Sequence, residues 1–168
     1  MNNKIEFKHV FKIAITLMLV AGIAGALIVF LNLFTAPIIE ENNAKKEQTK
    51  LQEIYPNETF ETLDYTDSTI KKVSKTTKGY VYQVEGKNAY GNIVLLVGIN
   101  LDGTVEKVVF LENGESFAQT VNDHVDATYQ NKTINQETID SVDTKCGATY
   151  GAKLVKELVS YALNDFIE

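Results

Sequence analysis

The sequence contains no arginine and no tryptophan, and only one cysteine, two prolines and two histidines in 168 residues. Each shortage excludes something. All sixteen basic residues are lysines, so no planar guanidinium fork is available to grip a phosphate in bidentate fashion. A phosphate-bearing ligand must then be held by backbone, hydroxyl, lysine or a covalent bond. With Cys146 alone, no intramolecular disulfide can form, and the folded part must stand on its apolar core. His124 has no second histidine or cysteine nearby, whereas zinc draws on about three or four protein ligands; it reads as a surface residue. Asp123 and Asp126 lack the oxygen-ligand spacing of a calcium loop and read as a solvated face. No metal site is expected. Positive charge is also short, at a net −6. From Glu40 to Glu168 thirteen lysines stand against twenty-one acids, a balance of −8, which argues against a nucleic-acid surface. No internal repeat or low-complexity tract is evident.

What is present begins with Ile13 to Phe34, twenty-two residues without a charge. At about 1.5 Å per residue this run crosses a hydrocarbon core of roughly 30 Å once as a helix. A cleaved signal peptide is the competing reading, given the basic start at Lys4, Lys8 and Lys12. The run exceeds the usual stretch of roughly 7–15 apolar residues, however, and no small-x-small cleavage site follows it. Those lysines precede the span and Glu40 and Glu41 follow it, so the excess of positive charge places the N-terminus in the cytoplasm and the rest outside. Ala21/Gly25 and Gly22/Ala26 form small-xxx-small pairs that either admit a partner helix or simply reflect membrane-helix composition. Beyond Pro37, Ile38 to Ile54 is rich in Glu, Lys, Gln and Ala and stops before Pro56, as a helix leaving the membrane would.

From Gly79 the period changes. Tyr80 to Val84 alternates β-formers, Ile93 to Ile99 is a nearly unbroken apolar run, and Val105 to Leu111 is a further strand, with Asn100-Leu101-Asp102-Gly103 turning between the last two. This predicts an antiparallel sheet in which Ile93–Ile99 is buried on both faces. Phe117 to Ile139 is polar, with Asn122, Asn131 and Asn135, and predicts loops with a short helix. A closing helix over about Gly151 to Phe166 carries Val155, Leu158, Val159, Ala162, Leu163 and Phe166 at helical spacing.

The chain is organised around the turn before that helix, Asp143-Thr144-Lys145-Cys146-Gly147-Ala148-Thr149-Tyr150-Gly151-Ala152. Gly147 permits a backbone geometry and a close approach that a β-carbon resists. The helix that follows starts with unpaired N–H groups, which favour an anion such as phosphate. Thr149 would place a hydroxyl beside that anion, with Lys145 and Lys153 flanking it. Spacing alone equally allows Thr149 to be a plain helix N-cap, Glu115 to be a solvated turn residue, and Cys146 to be either an activated thiol or a small residue filling the loop.

Asp143-x-x-Cys146-Gly147-Ala148-Thr149 resembles the Asp-x-x-Ser/Thr-Gly-Ala-Thr signature of FMN-binding domains in the G subunit of Rnf-type electron-transport complexes and the C subunit of Na+-translocating quinone reductases. The likeness begins at the end of the span, in the run Leu31-Asn32-Leu33-Phe34-Thr35. It continues through the charged helix ending Leu51-x-x-Ile54-Tyr55-Pro56, through Gly79-Tyr80, and through Asn113-Gly114-Glu115-Ser116. Departures from the pattern are Cys146 for Ser or Thr, Gly151-Ala152 for Thr-Ser, Phe117-Ala118 for Pro-Gly and Asn113 for His.

The resemblance implies an α+β architecture: a single transmembrane helix followed by an FMN-binding domain with an antiparallel sheet and packed helices. Its expected limits are 1–12 for a cytoplasmic N-terminus, 13–34 for the span, 35–56 for a juxtamembrane helix or linker and 57–168 for the domain. It implies FMN joined covalently to Thr149 through a phosphoester bond by a flavin transferase. The surrounding site would comprise Asp143, Cys146, Gly147, Ala148 and Tyr150, with Glu115 and Ser116 on the pocket wall. The implied role is an electron carrier rather than an enzyme by itself. It would work with other membrane subunits of an ion-translocating complex in the cell membrane of a prokaryote, its FMN domain on the extracytoplasmic face. Two alternatives stand beside this: a stand-alone FMN-binding protein in extracellular electron transfer, and a flavin-free anchored interaction domain.

Overall fold

The computed structural model describes residues 7–63, 65, 67–130 and 133–167. Lys4 of the basic start and Asn131 of the polar stretch lie outside the described residues. The chain divides into two units, Met1–Lys45 and Lys46–Glu168. Helix α1 (Phe7–Ile54) supplies the described part of the first and opens the second.

In the first unit the apolar side chains are exposed all round the helix, with Leu17 at 65%, Met18 at 74% and Leu33 at 68%. A helix whose described apolar side chains are exposed on every side suits a lipid surround. Its hydroxyls are satisfied internally, as lipid demands: the Thr16 hydroxyl donates to the Lys12 carbonyl at 2.9 Å and the Thr35 hydroxyl to the Leu31 carbonyl at 3.1 Å. Among the described residues this is the one helix long and apolar enough to cross a membrane. Pro37 lies inside it, so the helical segment expected beyond Pro37 joins the apolar run without a break, although proline removes one backbone donor.

In the second unit, strands β1 (Glu61–Leu63), β2 (Ile70–Lys75), β3 (Gly79–Lys87), β4 (Asn92–Asn100) and β5 (Val105–Asn113) form one sheet. They lie in sequence order and every pair is antiparallel. The first two strands were not legible in the sequence, because Ile70-Lys71-Lys72-Val73-Ser74-Lys75 mixes charge with apolar residues. After the sheet come α2 (Ala118–Tyr129), a 3-10 turn at Ile139–Ser141, and α3 (Thr149–Ile167). The short helix expected in the polar stretch is thus a twelve-residue one.

The strand Ile93–Ile99 is buried throughout, as its unbroken apolar run predicted. Side chains alternate across a strand, so Ile93, Leu95, Val97 and Ile99 join the core against α2 and α3, with Val121 and Val125 from the one and Val155 and Val159 from the other. Leu96 faces the opposite way, into a second cluster with Val81, Val109, Leu51, Ile54 and Tyr55. The last turn of α1 therefore packs on the sheet's other face. The Tyr55 hydroxyl donates to Asn100 Oδ1 at 3.0 Å, and burial, followed by the nearby Glu106 and Asp102 charges, pushes its pKa up. Gly98 makes this packing possible: a β-carbon there would stand 2.3 Å from Ile54 Cγ2. Gly98→Val is expected to lower the unfolding free energy by about 1–3 kcal/mol, the usual range for overpacking a filled core, read as a lower urea midpoint at an unchanged slope.

Candidate functional site

Residue Asp143 starts the loop that leads into α3. Its Oδ1 accepts the Lys145 N–H at 3.0 Å, an Asx turn of the kind short acidic side chains form. His124 Nε2 lies 2.8 Å from the Asp143 carbonyl; a carbonyl only accepts, so Nε2 carries the proton. His124, read from sequence as a surface residue, thus ties α2 to the loop. Cys146 is half-buried against the main core, in accord with a small loop-filling residue. Gly147 has φ +82°, a left-handed conformation that glycine adopts without strain. A β-carbon there would meet only Thr120 Cγ2, at 3.9 Å, leaving open space beside the loop.

The Ala152 N–H donates to the Ala148 carbonyl at 3.1 Å. Accepting that bond makes Ala148 the cap of α3, and Thr149 its first helical residue. The reading of Thr149 as a plain N-cap is therefore overturned: the cap position is held by a residue without a side-chain oxygen. Among the described residues nothing hydrogen-bonds the Thr149 hydroxyl.

Thr149 opens into a cavity of about 270 Å³. One wall is Gly147, Ala148, Thr149, Tyr150 and Gly151 from the start of α3; the other is Tyr90, Glu115 and Phe117. Of the residues expected at the site, Asp143, Cys146 and Ser116 do not line it, and neither do Lys145 and Lys153. Lys153 instead faces a groove with Thr144, Lys156 and Tyr161 on another side of α3. The expected lysine flank is corrected to a cavity whose only charged lining residue, among those described, is Glu115.

Three large aromatics converge here: Tyr90, Phe117 and Tyr150 are 45%, 60% and 64% exposed, and the two tyrosine rings lie 5.3 Å apart at 36°. Exposed apolar patches of this kind mark binding surfaces. Sequence reasoning missed Tyr90 and Phe117, since only the fold brings the tip of the β3–β4 turn and the start of α2 beside Thr149. A signal for the turn was present in Asn88-x-x-Gly91. The Asn88 Oδ1 accepts the Tyr90 and Gly91 N–H groups at 2.7 and 3.1 Å, and its amide donates to Glu115 Oε1. Ser116 secures the same turn, its N–H reaching the Tyr90 carbonyl at 3.2 Å. Asn113 orders the entry to α2, donating to Asn122 Oδ1 at 2.8 Å and accepting the Glu115 N–H at 3.1 Å.

Residues 1–54 match the RnfG N-terminal region and residues 89–164 match the FMN-binding domain. The chain is an RnfG-like FMN-binding protein. No curated protein matches it. The two regions place it among Rnf-type flavoproteins, single-pass in the membrane, with FMN as cofactor. The site fits that cofactor physically. An open glycine loop and the unpaired N–H groups of a helix start face where a phosphate would lie, and aromatics form the remaining wall. The volume, about 270 Å³, is just under the range of roughly 300–1,000 Å³ that encloses a whole ligand.

A β-carbon at Gly151 would lie 2.6 Å from Val121 Cγ2 and 3.1 Å from the Glu115 carboxylate, so these two side chains fill the space beside Gly151. Phe117 supplies an exposed ring on the cavity wall.

Proposed function

We propose that this protein is a membrane-anchored electron carrier whose FMN is joined to Thr149 by a phosphoester bond, and that it works as a subunit of an Rnf-like ion-translocating electron-transport complex. The observation that carries the reading is the Thr149 hydroxyl: it stands at the first position of α3, uncommitted to capping, and opens into the aromatic-lined cavity. In this reading a flavin transferase makes the bond between the Thr149 oxygen and the FMN phosphorus while the pyrophosphate bond of a flavin dinucleotide donor breaks, the nucleoside monophosphate leaving and the Thr149 hydroxyl giving up its proton. The Gly147 loop and the first N–H groups of α3 hold the phosphate, replacing the arginines the sequence lacks. Tyr90, Phe117 and Tyr150 orient the ring. The bound FMN supplies the redox chemistry, and the protein supplies placement and electrostatics.

The division into 1–12, 13–34, 35–56 and 57–168 belongs to the same proposal. So do a cytoplasmic N-terminus, a flavin domain on the extracytoplasmic face of a prokaryotic cell membrane, and electron exchange with neighbouring membrane subunits. The test is the intact mass of the full chain produced with a flavin transferase, followed by peptide mapping around Thr149. An FMN phosphoester on that peptide is the expected result. An unmodified Thr149, where a related domain is modified in parallel, would sink the covalent reading in favour of a flavin-free domain. Cys146→Ser restores the hydroxyl residue of the related pattern at a half-buried position, and its flavin stoichiometry is expected to equal or exceed that of the parent; complete loss would assign Cys146 a role of its own.

A further inference from the structure

Glu115 is the one charged residue lining the cavity beside Thr149 among those described, and it is only 7% exposed. Charges removed from water act on one another more strongly than charges at the surface. The carboxylate is also fixed in place. The Asn88 amide holds Oε1 from one side, and the absent side chain of Gly151 lets the carboxylate pack against the first turn of α3, with Cδ and Oε1 3.1 Å from where a β-carbon would stand. Gly151 is two residues from Thr149. Among the described residues no ion pair engages Glu115, and no lysine lines the cavity to offset its charge.

We propose that Glu115 sets the redox potential of the flavin held at Thr149, its buried charge keeping the cofactor harder to reduce than a neutral residue in the same place would. The inference rests on the flavin reading of Thr149. Reduction of the ring by two electrons and one proton leaves one net negative charge on it, the electrons coming from an external low-potential donor. A fixed carboxylate lining the same cavity repels that charge and leaves the oxidised, uncharged ring unaffected to first order. The equilibrium therefore shifts toward the oxidised form.

The experiment is a spectroelectrochemical titration of the flavin-loaded full chain with dithionite, comparing the parent with Glu115→Gln, which keeps the side chain's shape and removes its charge. The variant is expected to take up electrons more readily by at least tenfold in the ratio of reduced to oxidised flavin at a fixed potential, about 30 mV upward for a two-electron couple. Glu115→Asp, which keeps the charge, is expected to stay near the parent. Glu115→Ala carries the same upward expectation should the glutamine variant load flavin poorly. Equal potentials in loaded neutral variants, or a downward shift, overturn the proposal. A parent chain that never acquires flavin overturns the reading of Thr149, and this inference with it.

Discussion

Thr149→Ala is expected to abolish covalent flavin completely while leaving the domain folded. The two effects separate because of where the residue sits. Thr149 is the first helical residue of α3, half-buried, and its hydroxyl has no hydrogen-bond partner among the described residues. Removing it sacrifices no cap, since Ala148 already holds the capping position, and alanine is the better helix former. The stability change is expected within about 0.5 kcal/mol, as for substitutions that touch no buried network. The phosphoester, by contrast, needs the oxygen that the substitution deletes. Intact mass reads the attachment and urea unfolding reads the fold. Covalent flavin surviving in a folded Thr149→Ala protein would place the attachment elsewhere in the chain.

Gly91→Val is expected to damage the site from a distance in sequence. A β-carbon at Gly91 would lie 2.2 Å from the Gly114 carbonyl oxygen and 2.6 Å from the Glu115 backbone nitrogen. Neither is the free end of a flexible side chain, so the β3–β4 turn must move away from the segment that follows β5. That movement strains the Ser116 bonds to the Tyr90 carbonyl and the Asn88 bond to Glu115. A loss of about 3 kcal/mol is expected, the upper end of the overpacking range, together with reduced flavin loading in the folded fraction. A wild-type urea midpoint in this variant would show that the turn and the 113–116 segment are not locked together as described.

Much of this protein was legible without coordinates because the signals are local. The uncharged run Ile13–Phe34 can satisfy its backbone only as a helix in lipid. The continuous apolar strand Ile93–Ile99 needs cover on both faces, and Cys146-Gly147-Ala148-Thr149 before a periodic helix marks the turn that leads into α3. The strands at Glu61–Leu63 and Ile70–Lys75 were hidden because their pattern is set by neighbours across the sheet rather than by their own alternation.

Length, period and one contiguous motif were enough to define the class of the protein and its long apolar N-terminal helix. They were not enough for the shape of the site. Folding alone turns the flanking lysines away from the cavity, makes Ala148 rather than Thr149 the cap of α3, and sets Tyr90, Glu115 and Phe117 as the opposite wall. The physical reason is contact between elements distant in sequence: Gly91 against Gly114, Gly151 against Glu115, and His124 against the Asp143 carbonyl. Such contacts exist only once the sheet and the two helices have closed around a common core.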